Sequence, residues 1–456
     1  MKFPPNPPAT ASMQIGLPFD PTASLSNEIL VFGLNPAFQA TLHFEHYQFG
    51  KVNRAFRKCN SVGGKGQNFA IACGLYGDGD KLTVMQIVGG MTGRYIQAFL
   101  DERKIQHISI NTRKATRTCT TILDERTGEM TQLIVCNLMG IYDVHFLSPI
   151  HSRVSVIWMS PAARVDSTES NQLEQSIRYV IENSPKIEAI ALCGTLPPGL
   201  TGYIYTLIAQ LKPPNVLLLL DAYQNTECLR TGHVDILKIN AEEARLLALV
   251  DVDADLFETG KKLHEMYKVT MIAVTNGPDQ AYLFHVTSRS SDGAPLTLTV
   301  TSYIIPPVLT VFSEMGDLES VCSSPRSRTL PEATGEPTGL HTALKTCHIS
   351  GSSFTSYIEN GDSMRSGNGS DMGTRDGYKD VVINPLGAGD TCSSIFVVEY
   401  LDTLDAADAF RHGLAAASAS CLVVDYTSYF DMGVKTAIYD RIVPSSTIVH
   451  MVTAVE

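Results

Sequence analysis

Short apolar strands alternate with helical segments along most of this chain, and this alternation constrains its fold more than any other feature. Leu82–Val88, Ala189–Cys193 and Asn215–Leu220 are apolar runs of strand length, separated by segments with helical character. Strands that are buried on both faces read as continuous apolar runs, and parallel strands need crossover connections of this kind. The sequence therefore predicts an α/β fold in which a mostly parallel central sheet is covered by helices on both sides.

A glycine-rich stretch near the end of the chain carries the clearest chemical signal. Gly387, Ala388 and Gly389 precede Asp390 and an apolar run that predicts a helix. Backbone amides at the start of a helix attract anions, and glycines let the chain approach a ligand closely. Asp390 is then placed to accept a proton from a hydroxyl that attacks the anion, as phosphoryl transfer to an alcohol requires. A simple turn with Asp390 as the N-cap fits the same residues.

A second glycine-rich stretch, Ser61–Ala70, decides between these interpretations. With the Gly-Ala-Gly-Asp motif, it resembles the two signature motifs of the ribokinase and PfkB family of carbohydrate kinases. Within that family the chain looks most like the sugar-phosphate branch of 1-phosphofructokinase and tagatose-6-phosphate kinase. The segments that carry this finer similarity are Leu34–Ala37, Val52–Arg54, Thr116–Thr118 and Gly194–Gly199. Matches in the family's order run over residues 30–285 and 380–425.

The resemblance implies a fold and an activity. The fold is a ribokinase-like three-layer α/β/α sandwich with a mostly parallel central sheet, built from residues 27–308 and 379–456. Strands within residues 39–61 and 113–136 would form a small β lid, through which such chains pair as homodimers. The activity is transfer of the γ-phosphoryl group of ATP, with Mg²⁺, to a hydroxyl of a phosphorylated hexose. Fructose 1-phosphate, fructose 6-phosphate and tagatose 6-phosphate fit the motifs equally well.

The first motif is predicted to bind the sugar. It is not a Walker A P-loop, because Gly66 rather than Ser or Thr follows Lys65. Gly64 lets the backbone approach a sugar, and the Asn68 amide is able to bond hydroxyl groups. Gln39 stands where the sugar-phosphate branch commonly has an aspartate that contacts a sugar hydroxyl.

Basic side chains are predicted to hold the phosphate of the substrate. Arg117 matches the lid position that grips the sugar phosphate in the resembling branch; the alternative is a strand arginine paired with Asp124 or Glu125. No acidic residue lies between Glu45 and Asp78. Five basic residues fall in that interval, namely Lys51, Arg54, Arg57, Lys58 and Lys65. Their clustering predicts a local attraction for an anionic substrate, to which Lys51 contributes, or else a solvated strand face.

Two further segments are predicted to bind the nucleotide. Lys238, Asn240 and Glu243 resemble the family's Lys-x-Asn-x-x-Glu element, in which the lysine reaches a phosphate and the other two order the water shell of Mg²⁺. Asn240 and Glu243 are also spaced as a helix capping box. Thr275 and Gly277 match the family's Thr/Ser-x-Gly-x-x-Gly segment. Its second glycine is replaced here by Gln280, a side chain expected to crowd or reshape the phosphate end of the ATP site.

Composition excludes several other classes of protein. The net charge of −12 argues against nucleic acid and anionic membranes as partners. No apolar run approaches the ~18 residues of a membrane span, and the first thirty residues lack a signal-peptide pattern, so a cytoplasmic protein is expected. The ten cysteines have no metal-ligand spacing, which predicts buried reduced thiols.

Two segments are predicted to lie outside the folded domain. Residues 1–26 are rich in proline and read as a disordered tail. Residues 309–378 are rich in Ser, Gly, Thr and Pro, which predicts a largely disordered insertion. Within the domain, Val154–Met159 is a further predicted strand, and Ala406–Val424 is predicted to pass from a helix into a strand.

Departures from the family pattern leave other functions open. Gln39, Gln280 and Pro385 differ from the residues common in the family, although Asp390 and its loop are intact. A sugar-phosphate-binding sensor without catalytic activity is one alternative to an active kinase. A ribose or nucleoside kinase is another, but those substrates lack the phosphate that Arg117 is suited to hold.

Overall fold

The computed structural model describes residues 28–127, 130–134, 164–288, 296–315, 384–423 and 426–451. All of these except Ser313–Met315 belong to one compact unit, Met1–Phe312 with Val382–Glu456. The strands are β1 (Ile29–Phe32), β2 (Ala37–Phe44), β3 (Arg57–Gly63), β4 (Leu82–Gly89), β5 (Gln106–Thr112), β6 (Thr118–Asp124), β7 (Met130–Ile134), β8 (Ala189–Cys193), β9 (Leu217–Asp221), β10 (Ile236–Asn240), β11 (Met271–Thr275), β12 (Ala281–Ser288), β13 (Leu296–Ile304) and β14 (Val443–Met451). The helices are α1 (Lys65–Tyr76), α2 (Gly90–Glu102), α3 (Ser167–Glu182), α4 (Tyr203–Leu211), α5 (Ala241–Ala248), α6 (Leu256–Tyr267), α7 (Val308–Met315), α8 (Ala388–Thr403), α9 (Ala406–Ser420) and α10 (Met432–Tyr439).

Among the described residues, ten strands form one central sheet in the order β14-β13-β12-β11-β10-β9-β8-β1-β4-β5. The pairs from β5 to β11 are all parallel, and β12, β13 and β14 extend the sheet in antiparallel fashion. The predicted mostly parallel sheet is therefore confirmed. Because parallel strands end at the same edge, residues that follow β8, β9, β10 and β11 are brought together there.

Both faces of the central sheet are buried. Successive side chains of a strand point to opposite faces, so neighbouring residues of one strand enter different parts of the core. Leu30 and Phe32 join a core that also contains residues of α3, α4, α5 and α6, such as Leu173 and Tyr205. Val31, between them, points to the other face, where its side chain lies next to Gly66 of α1. This alternation explains why β1 is apolar at every position.

Helices α8 and α9 complete the second helical layer. The Ser394 hydroxyl of α8 donates a 2.8 Å hydrogen bond to the Phe69 carbonyl of α1. The Phe396 ring of α8 lies 5.3 Å from the Phe410 ring of α9, which in turn packs edge-on against Tyr303 of β13 at 5.3 Å. Helices thus cover both faces of the sheet, which confirms the three-layer α/β/α architecture.

A second sheet, which we call the small sheet, has the strand order β3-β2-β6-β7. The β6–β7 pair is antiparallel, which agrees with the turn-rich sequence Asp124–Glu129 between two strand-like segments, a pattern that predicts a hairpin. The alternating sequence from Ala40 to Phe49 predicts a strand over that whole stretch, but β2 ends at Phe44. The reason is the Asp124 carboxylate, which accepts a 2.8 Å hydrogen bond from the Tyr47 amide and contacts His46 at 2.9 Å, turning the chain away from the strand.

Two sequence predictions are wrong in detail. The chain after α9 does not enter a strand among the described residues. Instead, the Leu422 and Val423 amides bond the carbonyls three residues before them, so the helix ends in tight turns. The predicted insertion begins too early, because Val308–Met315 form α7 and the Val311 side chain is 1% exposed.

Several other predictions concern residues outside the described ranges. These are the tail at residues 1–26, the strand Val154–Met159 and residues 316–378 of the insertion. Five cysteines that the structure describes are buried, as predicted: Cys73, Cys119, Cys193, Cys228 and Cys392. No helix in the described part of the chain is long and apolar enough to cross a membrane.

Candidate active site

A cavity of about 840 Å³ lies at the carboxyl edge of the parallel strands. Asn240 is the last residue of β10, Thr275 is the last residue of β11, and both line this cavity. Asp221 is the last residue of β9 and is buried directly beneath it. Polar side chains that the sequence separates by tens of positions therefore meet at one place.

The Gly-Ala-Gly-Asp motif forms the start of α8, as predicted. Gly387 is the N-cap with φ of 80°, a left-handed conformation that favours glycine. A Cβ atom there would also lie 2.7 Å from the Ser428 hydroxyl. Ala388, Gly389 and Asp390 make up the first turn, whose amides lie at the positive end of the helix, although the Ala388 amide also donates to the Pro385 carbonyl at 3.2 Å.

Asp390 has the environment of a general base. Its side chain lines the cavity, is 8% exposed, and accepts a 2.7 Å hydrogen bond from Asn68 Nδ2. Burial, together with the nearby Asp221 carboxylate, raises the pKa of Asp390 to about 7. Lys65, Asn68 and Lys238 act in the opposite direction. A base that titrates near neutrality combines a useful ionised fraction with a strong affinity for a proton.

Lys65 is held above the carboxyl end of β9 by two carboxylates. Its Nζ lies 2.7 Å from Asp221 Oδ1 and 3.5 Å from Glu243 Oε1. Burial would lower the pKa of Lys65, but Asp221 and Glu243 raise it above its ordinary value, so the ammonium stays charged. The side chain remains 31% exposed towards the cavity. Lys65 thus offers a fixed positive charge to an anionic ligand.

Lys238 lines the cavity and also bonds other groups of the protein, and its predicted contact with a phosphate stays a prediction. It is 3% exposed, and its Nζ donates a 2.8 Å hydrogen bond to the Gly389 carbonyl while lying 3.7 Å from Asp221 Oδ2. Ser393 of α8 donates to the same Asp221 oxygen at 2.5 Å. Burial alone would raise the pKa of Asp221, but Lys238 and Lys65 hold it below its usual range. Lys238 therefore joins the Gly-Ala-Gly-Asp loop to strand β10 of the sheet.

Asn240 and Glu243 form the capping box that the sequence allowed as an alternative. Asn240 Oδ1 accepts the Glu243 amide at 2.8 Å, and Glu243 Oε2 accepts the Asn240 amide at 3.0 Å. Both residues also line the cavity. Among the described residues, no group of three or more His, Cys, Asp or Glu side chains is arranged to hold a metal ion. The predicted contact of these two side chains with the water shell of Mg²⁺ stays a prediction.

Arg117 lies at the small-sheet side of the cavity. Its guanidinium donates to the Asn35 carbonyl at 2.8 Å and to the Pro36 carbonyl at 3.3 Å. The predicted alternative, a pair with Asp124 or Glu125, is wrong, because those carboxylates contact His46 and His43 instead. These two carbonyl contacts use only some of the N–H donors of the guanidinium, and Arg117 also lines the cavity.

Most predicted site residues are brought together, but Lys51 is not. The cavity is lined by fourteen of the predicted site residues: Asp390, Gly387, Ala388, Gly389, Gly64, Lys65, Asn68, Arg117, Gln39, Lys238, Asn240, Glu243, Thr275 and Gly277. Lys51 is exposed in the connection between β2 and β3, away from the lining. Of the predicted basic cluster, only Lys65 lines the cavity, and Arg57 instead contacts His43 and Glu125. Lys51 and Arg54 lie in the connection between β2 and β3, and Arg57 and Lys58 begin β3.

Gln280 does not crowd the site. It is exposed, lies outside the cavity lining, and accepts a 3.0 Å hydrogen bond from the Tyr282 hydroxyl. In this structure the Gln280 side chain therefore does not crowd the cavity, contrary to the expectation from its replacement of the family's glycine. Gln39 and Pro385, the other departures from the family pattern, do line the cavity.

Sequence reasoning missed two buried polar residues that organise the site. Asp221 is 1% exposed and contacts Lys65, Lys238 and Ser393. The position of Asp221 directly after the apolar run Asn215–Leu220 could have indicated a site residue. Thr427 is 3% exposed and donates a 3.0 Å hydrogen bond to Asn68 Oδ1. Nothing in its local sequence indicates that contact.

The far end of the cavity is apolar. It is lined by the Ile305–Leu309 segment that leads into α7 and by residues of α9, including Leu414 and Ala417. Apolar walls with few polar groups suit a flat aromatic base. The cavity therefore has an apolar end, a central helix N-terminus with a buried carboxylate, and a basic group beside the small sheet.

No family model matches the sequence. Solved structures nevertheless resemble this one over nearly its whole length. Phosphofructokinase-2 from Escherichia coli, in complex with substrates and products, has a TM-score of 0.59 at 16% identity, covering 91% of this chain and 98% of that chain. A structure from Thermotoga maritima, described as a possible 1-phosphofructokinase, has a TM-score of 0.59 at 15% identity, covering 92% and 100%. A putative phosphofructokinase from Staphylococcus aureus has 0.55 at 16%, covering 92% and 99%.

At such identities the likeness shows the fold. The resemblance to the ribokinase and PfkB family is thus confirmed at the level of the fold: this chain has the ribokinase-like α/β/α fold, as these phosphofructokinases do.

Proposed function

We propose that this protein is a sugar-phosphate kinase that transfers the γ-phosphoryl group of ATP to a hydroxyl of a phosphorylated hexose. The observation that carries the proposal is the position of Asp390. Its buried carboxylate, with a pKa of about 7, stands in the first turn of α8 and faces a cavity that also contains Lys65 and Arg117. A proton acceptor, an anion-binding helix start and fixed cations are the three parts that phosphoryl transfer to an alcohol needs.

In the proposed reaction, Asp390 takes the proton of the acceptor hydroxyl. The hydroxyl oxygen forms a bond to the γ-phosphorus, and the bond from that phosphorus to the bridging oxygen breaks, so that ADP leaves with the bond's electron pair. Negative charge on the transferred group is stabilised by the amides at the start of α8 and by the Lys65 ammonium. Asp390 then returns its proton to solvent or product.

The two ends of the cavity suit the two substrates. Arg117 provides positive charge for the phosphate that the hexose already carries, with Gln39 and Gly64 beside the sugar. The apolar end formed by Ile305–Leu309 and Leu414 suits the adenine. Mg²⁺, which ATP carries, neutralises phosphate charge during transfer, and Asn240 with Glu243 would hold its water shell.

A phosphoryl-transfer assay over a panel of acceptors tests this proposal. The purified protein is given ATP and Mg²⁺ with fructose 1-phosphate, fructose 6-phosphate, tagatose 6-phosphate, the free sugars, ribose and nucleosides, and ADP formation is measured against Asp390→Asn. We expect turnover with at least one hexose phosphate and much less with its free sugar. Binding of a hexose phosphate without ADP formation would instead support a sensor, and turnover confined to ribose or nucleosides would contradict the phosphate-binding role of Arg117.

A further inference from the structure

The Asn68 side chain is held between two buried groups. Its Nδ2 donates to Asp390 Oδ2 at 2.7 Å, and its Oδ1 accepts from the Thr427 hydroxyl at 3.0 Å. The exposed fractions are 6% for Asn68, 8% for Asp390 and 3% for Thr427. Three polar groups from three separate segments thus form one chain of hydrogen bonds that ends at the proposed base.

The Asn68 amide can make both hydrogen bonds in only one of its two orientations. An amide has a donor end and an acceptor end, and only the donor end is attractive to an ionised carboxylate. The Thr427 hydroxyl supplies the donor that Oδ1 needs when Nδ2 faces Asp390. Without that hydroxyl, a buried carbonyl oxygen would lack a partner, which favours rotation or flipping of the amide and weakens its bond to Asp390.

The segment that contains Thr427 also contacts the catalytic loop directly. Ser428 is fully buried with φ of 62°, and its hydroxyl donates a 3.1 Å hydrogen bond to the Gly387 carbonyl. A Cβ atom on Gly387 would lie 3.1 Å from Thr427 Cβ. The connection between α9 and α10 is therefore packed against the loop whose orientation places Asp390.

We propose that Thr427 is a positioning residue that acts through Asn68: its hydroxyl holds the amide with Nδ2 towards Asp390 and so favours the ionised, correctly oriented form of the base. Asn68, predicted from sequence to bond sugar hydroxyls, would then serve the base as well. The kinetic part of this inference rests on the proposed function. The part that concerns the protonation of Asp390 does not.

The other charged groups that face Asp390 stay in place when Thr427 is changed. They are Asp221 at the end of β9, Lys65 of α1 and Lys238 of β10, with Glu243 of α5 acting on Lys65. None of them is hydrogen-bonded to Thr427 in the contacts described for it. A change in the titration of Asp390 in a Thr427 variant therefore reports on the Asn68 amide.

The first experiment measures protonation without any substrate. Carboxyl ¹³C signals of aspartate-labelled protein are followed against pH, with the Asp390 signal assigned by its loss in Asp390→Asn. Thr427→Val removes the hydroxyl at nearly constant volume, and we expect the Asp390 midpoint to rise by about half to one pH unit. Thr427→Ser, which keeps the hydroxyl, should titrate as the unmodified protein does.

Thr301→Val is the matched control. Thr301 is also buried, and its hydroxyl bonds Ser446 in the contact between β13 and β14, outside the cavity. This variant should leave the Asp390 titration unchanged. If Thr427→Val does not fold, Thr427→Ala takes its place. An Asp390 midpoint that is the same with and without the Thr427 hydroxyl, or that moves as far in Thr427→Ser or Thr301→Val, would overturn the inference.

The second experiment uses the best acceptor from the panel. Thr427→Val should lower kcat by about 5- to 20-fold and change the KM of the acceptor by less than about 2-fold, because the base is misplaced while the sugar contacts remain. A raised KM with unchanged kcat would assign Asn68 to sugar binding alone and overturn the positioning role. If the unmodified protein phosphorylates no acceptor, the proposed function fails, and the titration still decides the role of Thr427.

Discussion

Asn68 Nδ2 donates a 2.7 Å hydrogen bond to Asp390 Oδ2, although the two residues lie 322 positions apart. The bond joins the two glycine-rich motifs, one at the start of α1 and the other at the start of α8. It also anchors the proposed base against a helix that packs on the central sheet. The two motifs therefore act as one site, and changes in either should affect the same reaction.

Asp390→Asn should remove the base while keeping its shape. We expect kcat to fall by roughly 10²- to 10⁴-fold with little change in either KM, which is the usual contribution of a positioned general base. Steady-state kinetics with the best acceptor measure this. Asp402→Asn is the matched control, because Asp402 is an exposed carboxylate near the end of the same helix. Near-normal turnover of Asp390→Asn would remove Asp390 from the mechanism.

The pH dependence of kcat/KM for the acceptor should show the raised pKa of Asp390, because kcat/KM reports ionisation of the free enzyme. The base works only when ionised, so kcat/KM is full above its pKa and is lost as the pH falls through about 7. Below that value kcat/KM should drop about tenfold per pH unit. A profile that stays flat down to pH 5 would show that the base titrates at an ordinary carboxylate value.

Asp221→Asn should shift that profile in a defined direction. The Asp221 charge raises the pKa of Asp390, whereas Lys65 and Lys238 lower it. Without the Asp221 charge, no neighbouring carboxylate offsets the two cations, so the pKa of Asp390 falls and the acid limb of kcat/KM moves to lower pH. The measurement is the kcat/KM profile of the variant beside that of the unmodified protein. Movement of the limb to higher pH would contradict the electrostatic assignment.

Arg117→Ala should weaken binding of the phosphorylated sugar. A guanidinium bonds two phosphate oxygens at once, and a hydrogen bond to a charged group contributes ~1.5 to 3 kcal/mol, so we expect the KM of the sugar phosphate to rise by about 10- to 100-fold. The KM of ATP should change much less. Arg126→Ala is the control, since Arg126 contacts His46 at the other end of β6. Undiminished preference for the phosphorylated over the free sugar would exclude Arg117 from phosphate recognition.

Replacement of residues 316–376 by a short Gly-Ser linker tests the predicted insertion. The replacement begins after α7, because Val311 of that helix is buried and contributes to the core. The segment contains few large apolar residues, so its loss should change the thermal midpoint by only a few degrees. Calorimetry and the folding yield measure this. A collapse in yield would show that the segment contributes to the folded domain.

Much of the architecture was predictable because it follows from local patterns. Apolar runs at Leu82–Val88 and Ala189–Cys193 became β4 and β8, and the turn-rich segment after Asp124 became the β6–β7 hairpin. Glycines before Asp390 predicted a helix start, and the structure has one there. Such features depend on periodicity and backbone freedom, which neighbouring residues determine. Errors arose where a distant side chain intervened, as when Asp124 ended β2 at Phe44.

The sequence by itself determined which groups are available: a carboxylate at Asp390, cations at Lys65 and Arg117, and glycines that let the chain turn. Only the tertiary structure decided how they are used. It paired Lys65 with Asp221, turned Lys238 onto the Gly389 carbonyl, and left Lys51 in solvent. The physical reason is that hydrogen bonds and charge interactions act over a few ångströms, and the parallel sheet alone brings the ends of separate strands within that range.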